Sequence, residues 1–109
     1  MELAFDKKSL REVCENEDKA KRDLGVKVAE RLKRRLADLR AATCVKDLVV
    51  GQPRELDGAD HRHIAIDLCE DYRIVFCANH IANPLLESGG VDWSRVSRVK
   101  ILRIERDYG

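Results

Sequence analysis

The stretch Arg54–Phe76, RELDGADHRHIAIDLCEDYRIVF, restricts the fold more than any other part of the chain. It opens on a glycine-bearing loop, Leu56-Asp57-Gly58, and then alternates. Ile64, Ile66 and Leu68 point one way; His63, Ala65 and Asp67 point the other. Period-two alternation is the pattern of a strand buried on one face. Glu70-Asp71 breaks the run, and Tyr72-Arg73-Ile74-Val75-Phe76 begins a second strand rich in aromatic and β-branched residues. Two such runs around a short polar break predict an antiparallel hairpin at the middle of a sheet. Helices are expected on one face of that sheet, and Arg73 on the other.

The elements before the hairpin supply those helices. Glu2–Phe5 reads as a short edge strand, and Asp6 as the N-cap of a first helix. Leu10, Val13, Cys14, Ala20 and Leu24 keep rough helical spacing up to a stop at Gly25. Val28, Ala29, Leu32, Leu36 and Leu39 then form one apolar stripe of a second helix. The two make a helical hairpin whose seam must cover the sheet. Ala41–Gly51 is a connector in which Thr43 offers a cap for one more short turn. After Phe76 comes a loop through Trp93, then a last strand within Val96–Tyr108. In that strand Val99 and Ile101 are expected on one face, and Leu102 and Ile104 on or near the opposite one. The sum is a single α+β domain over 1–109: an N-terminal strand and helical hairpin on a mainly antiparallel, curved sheet of about four strands.

Composition closes off several classes of function. No apolar run reaches the length of a membrane span, so no membrane partner is expected. Met1–Phe5 lacks the charged-then-apolar build of a secretion signal, which points to a cytoplasmic location. Cys14, Cys44, Cys69 and Cys77 are scattered without a CxxC pair and read as reduced thiols, with Cys14 and Cys77 on apolar patterns. Net charge is +1, unevenly spread: residues 19–40 hold nine bases and three acids, and residues 54–71 two bases and six acids. The basic segment suits a polyanion or an acidic partner, or is simply a solvated helix face.

His61-x-His63, with Cys77-x-x-His80 further on, is the one hint of a metal set. Zinc needs three or four converging ligands, and ordinary surface histidines are the better reading, so no metal or other cofactor is expected. No serine or cysteine stands in a nucleophile motif, and no phosphate-cradling glycine loop is present. What remains is a basic and phenolic set: Arg54, His61, His63, Arg73 and the terminal Asp107-Tyr108. An arginine fork grips phosphate, a tyrosine or histidine moves a proton, and an aspartate orients it. That combination suits RNA cleavage by attack of the ribose 2′-OH on the neighbouring phosphate.

The chain resembles the RelE/ParE superfamily of toxins from bacterial type II toxin–antitoxin modules, and within it the HigB-like killer proteins. The resemblance rests on Pro53–Gly58, Tyr72-Arg73-Ile74-Val75-Phe76 and the ending Ile101–Tyr108. Arg34–Ala42 and Gly89-Gly90-Val91-Asp92-Trp93-Ser94 add to it. It implies a microbial-RNase-like fold that cuts mRNA in the ribosomal A site and is silenced by a cognate, HigA-like antitoxin encoded next to it. Arg73 matches the strand arginine that stabilises the phosphate, and Asp107 and Tyr108 match the catalytic edge. Arg73, Tyr108, Asp107 and Arg54 are thus the expected catalytic group. Arg31, Arg34 and Arg35 on the second helix, with His61 and His63, are the expected RNA contacts.

Three positions depart from the HigB-like pattern. Arg54 stands where a histidine is common, Asp57 replaces a lysine, and Gly109 follows Tyr108 where a histidine usually ends the chain. Arginine stays protonated and is a poor base at neutral pH. Two alternatives therefore stand beside the nuclease: a ParE-like poison of DNA gyrase, and a catalytically weakened toxin that only binds its antitoxin.

Overall fold

The structure, a computed structural model, describes residues 1–56 and 62–107. Five strands form one sheet: β1 (Glu2–Phe5), β2 (Arg54–Glu55), β3 (His63–Asp67), β4 (Tyr72–Ala78) and β5 (Arg98–Arg106). Their spatial order is β1-β5-β4-β3-β2. All neighbours are antiparallel except β1 and β5. β1 and β2 are consecutive in the chain yet lie at opposite edges. The helices between them, α1 (Lys8–Glu15), α2 (Glu17–Leu24) and α3 (Val26–Ala41), cross one face of the sheet and cover it. The fold is α+β as expected; the fifth strand is the two-residue β2, which reads in sequence only as the approach to the hairpin.

The core lies between α3 and that face. Val28, Leu32, Leu36 and Leu39 pack with Ile64, Ile66, Ile74, Phe76, Val99 and Ile101, all nearly inaccessible to solvent. Burying each such side chain stabilises the fold by roughly 1.5–3 kcal/mol. Cys14 packs against this core from α1, and burial pushes its thiol up to about 11 despite the opposing charge of Arg40. Cys77 departs from expectation: its register with His63 and Lys100 puts it on the face the helices leave uncovered. All four cysteines are free thiols.

The first helix is two helices. Asn16 has extended backbone, and its side-chain oxygen accepts the Lys19 amide at 3.1 Å, so it caps α2. Glu17 and Asp18 follow in the first turn, where the helix dipole favours acids. Asp6 does not cap α1. The residue before that helix is Lys7, with no side-chain cap, and the Asp6 carboxylate lies 3.9 Å from the Lys100 amine instead. Thr43 does not cap the short 3₁₀ turn at Val45–Asp47, which is entered from Cys44 with no side-chain cap. Gly25, at φ 88°, joins α2 to α3 in the left-handed region.

Two local features set up the uncovered face. The β3–β4 turn has Glu70 and Asp71 at φ 54° and 63°, and the Tyr72 amide donates to the Cys69 carbonyl at 3.0 Å. That is a type I′ turn, whose twist matches the two strands it joins. The second feature is a bulge in β5. Val75 pairs with Arg103 but Phe76 pairs with Ile101, which leaves Leu102 as the extra residue. Alternation restarts after it. Ile104 therefore packs against the same core as Val99 and Ile101, contrary to the opposite-face expectation. The same shift delivers Arg103 and Glu105 to the uncovered face.

Candidate functional site

Strand register builds the site. Asp67 on β3 is opposite Arg73 on β4, which is opposite Glu105 on β5. One step along the strands, Arg54, Ala65, Val75 and Arg103 form the next row on the same face. Ala65 and Val75 are fully buried, with charged side chains on either side of them in the row. The centre of this row is thus a small apolar floor of Ala65 and Val75 between two arginines.

Arg73 is the hub and is only 16% exposed. Its Nε and one terminal nitrogen donate to a single Glu105 oxygen at 3.3 and 2.9 Å. Its other terminal nitrogen donates to Asp107 Oδ2 at 3.2 Å. Arg54 reaches the same Asp107 oxygen at 3.4 Å and also donates to Asp67 at 3.0 Å and to the Gln52 carbonyl at 3.1 Å. Arg103 holds the second oxygen of Glu105. Burial works to raise the Glu105 pKa, but the bonds and charges of Arg103 and Arg73 outweigh it and hold it below the ordinary range. Among the described residues, three guanidinium groups and three carboxylates thus form one network with no net charge. An open depression of about 530 Å3 lies beside it, lined among others by Arg54, Asp67, Cys69, Glu70, Tyr72 and Asp107.

Arg54, Arg73 and Asp107 are therefore brought together, as the sequence reading expects. Tyr108 and His61 lie outside the described residues. His63 shares the face but not the cluster: it sits four residues along β3 from Asp67, roughly 13 Å at strand rise. Its register neighbour is Cys77. The sequence reading misses Asp67, Glu105 and Arg103. For Asp67 the signal is present, since it alternates in phase with His63. For the other two the bulge hides it.

The helix cations divide. Arg31 and Arg34 are exposed and, with Lys27, line a depression of about 310 Å3 whose far wall is Cys69 and Glu70. The β3–β4 turn thus stands between this hollow, whose lining also includes Glu30, and the arginine network. Arg35 does not join them, contrary to the expected RNA contact. It is 5% exposed, turned inward to donate to the Asp67 carbonyl at 3.4 Å and to the Asp38 carboxylate at 3.2 Å. It falls on the edge of the apolar stripe, one residue from Leu36, and anchors α3 to the end of β3 rather than facing a polyanion.

His80 accepts the Ser97 backbone amide at 3.1 Å, a loop-fixing role. Among the described residues no group of His, Cys, Asp or Glu side chains converges as a metal site. No described helix is long and apolar enough to cross a membrane.

No family model and no curated protein sequence matches the chain. Solved structures do. A YoeB/ParE toxin from Agrobacterium tumefaciens superposes with a TM-score of 0.61 at 12% identity, covering 99% of this chain and 100% of that one. A chain of the YoeB–YefM complex from Staphylococcus aureus gives 0.59 at 11% identity, covering 99% and 98%. A second structure from that organism, the heterotetrameric YoeB–YefM toxin–antitoxin complex, gives the same values. At such identities the likeness is one of fold, and it runs the length of the chain.

Proposed function

We propose that this chain is the toxin of a type II toxin–antitoxin pair, a ribosome-dependent endoribonuclease acting on mRNA and silenced by a cognate antitoxin. One observation carries the reading. Arg54 and Arg73 meet on the uncovered face of a sheet whose whole fold is shared with structures described as YoeB toxins, two of them in complex with YefM. The HigB-like branch and a HigA-like antitoxin rest on the sequence strings alone; two structural neighbours carry the YoeB name and one the name YoeB/ParE.

In this reading the ribose 2′-OH attacks the adjacent phosphate, a cyclic phosphate forms, and the 5′-oxygen leaves. Arg73 and Arg54 take the non-bridging oxygens as negative charge builds on them. Tyr108 moves a proton and Asp107 orients it. Arg31 and Arg34, with Lys27, contact ribosomal RNA through phosphates, so association weakens steeply with salt. The two depressions share Cys69 and Glu70, which favours one continuous path for a strand.

The test is inducible expression with and without the neighbouring gene product. Growth arrest relieved by the neighbour, with mRNA cut only when ribosomes are present, is the expected result. Intact mRNA with impaired gyrase supercoiling would transfer the reading to the ParE-like alternative. A specific observation favours one further reading, the antitoxin-binding module without catalysis: among the described residues the network's three arginines are matched by three carboxylates, which leaves them no surplus attraction for a polyanion. There, growth is indifferent to expression and to Arg73→Ala, while the antitoxin still binds.

A further inference from the structure

We propose that the Asp107 carboxylate is the resting occupant of an anion site formed by Arg54 and Arg73, and that a phosphodiester binds there by displacing it. The proposal deepens the nuclease reading and rests on it for the identity of the ligand.

The two carboxylates on Arg73 are held differently. Glu105 lies inside β5, directly opposite Arg73, and takes its Nε edge with Arg103 fixing the other oxygen. That arrangement sets the guanidinium in place. Asp107 lies one residue past the end of β5. A single oxygen of it accepts from both arginines, at 3.2 and 3.4 Å, the long end for charge-assisted bonds. The arginines arrive from different strands, β2 and β4, and converge where one phosphate oxygen would sit. A carboxylate oxygen between two guanidinium groups is a stand-in for such an oxygen.

The geometry also lets it leave. The Asp107 backbone is tied to the sheet separately, its amide donating to the Asp71 carbonyl at 2.6 Å. A side-chain rotation about Cα–Cβ that releases both arginines leaves this backbone bond in place. Asp107 is 34% exposed and borders the 530 Å3 depression, so it has solvent to turn into. Arg54 keeps its bond to Asp67, and Arg73 its bonds to Glu105, so both donors stay aimed when the occupant swings away.

The experiment uses the full chain and a short single-stranded deoxyoligonucleotide, which lacks the 2′-OH and cannot be cut by this chemistry. Fluorescence anisotropy is read for the wild type, Asp107→Asn, Asp107→Asn with Arg73→Ala, and Glu87→Gln as an exposed charge control. Asp107→Asn should bind about tenfold or more tighter than the wild type. Inorganic phosphate should compete, and the gain should vanish in the double variant. Asp107→Ala, which removes the occupant and leaves Arg54 on Asp67, is a second route with the same expected gain should Asp107→Asn disturb the fold. Equal affinity of wild type and Asp107→Asn overturns the proposal. So does a gain that survives Arg73→Ala, or one that Glu87→Gln reproduces. If wild-type protein cuts mRNA on ribosomes and Asp107→Asn gains no affinity, only the displacement idea fails. If Asp107→Asn gains affinity and no variant cuts RNA, the anion site stands and the nuclease reading fails.

Discussion

Arg54 and Arg73 donate to the same oxygen of Asp107, at 3.4 and 3.2 Å, although one begins a two-residue edge strand and the other lies in the middle of the sheet. A face that gathers cations this closely needs anions to hold it together. In the resting protein three carboxylates do so, and that balance decides what each substitution should do.

Removing the hub should cost function more than fold. Arg73→Ala deletes the only group that bonds both Glu105 and Asp107 in the described network, and Arg103 still satisfies Glu105. On the proposed nuclease reading, ribosome-dependent cleavage should fall by about a hundredfold or more, the usual cost of one transition-state donor. Arg73→Lys should recover little, because a point charge cannot reproduce the fork. Cleavage of a defined mRNA on purified ribosomes, beside a melting curve for each variant, checks this.

Stability should acquire an acid limb from Glu105. Its folded pKa lies below the ordinary 4.5, because the bonds and charges of Arg103 and Arg73 outweigh the burial that opposes them. A depressed folded value contributes stability that is complete above the unfolded pKa and is lost as pH falls through the folded one. Urea unfolding of the wild type should therefore weaken progressively below about pH 4.5. Glu105→Gln should be less stable at neutral pH and show a flatter acid limb. Parallel acid limbs in the two proteins would count against this assignment.

The inward turn of Arg35 predicts a contrast along one helix. Arg35→Ala removes bonds to the Asp67 carbonyl and the Asp38 carboxylate and empties a buried volume, so it should destabilise by about 2–3 kcal/mol. Arg31→Ala and Arg34→Ala, on exposed positions, should stay within about 0.5 kcal/mol and, on the proposed reading, weaken ribosome association. Denaturant titrations and ribosome co-sedimentation separate the two effects.

Much of this was legible in sequence. The alternation through Ile64, Ile66 and Asp67, and the stripe Val28–Leu39, placed the hairpin, the covering helix and the face on which Arg73 stands. Asn16 was less legible because one polar residue barely disturbs a rough helical period, although an asparagine followed by two acids is a good helix start. The bulge at Leu102 was not legible at all. Its hydrophobic string VKILRI reads equally well with unbroken alternation, and only pairing with β4 shows where the count slips. The inward turn of Arg35 is hidden for a related reason: charge alone does not say whether a guanidinium beside an apolar stripe faces water or a backbone carbonyl.

The last prediction concerns Gly51, which couples the two sides of the sheet. Its φ of 86° suits glycine, and its carbonyl accepts the Asp67 amide at 2.6 Å. A Cβ there would lie 3.0 Å from the Asp67 carbonyl oxygen and 3.1 Å from Arg35 Nε. Backbone cannot yield as a flexible side chain does, so Gly51→Ala must push Asp67 away or leave its preferred conformation. The cost should be about 1–3 kcal/mol. Because the Asp67 carboxylate holds Arg54, the displacement should also loosen Arg54 from its position beside Asp107. The signature is a variant whose oligonucleotide binding changes even under conditions where it is fully folded. If Gly51→Ala only lowers the melting temperature and binding per folded molecule is unchanged, the loop holds the fold but does not position the arginine.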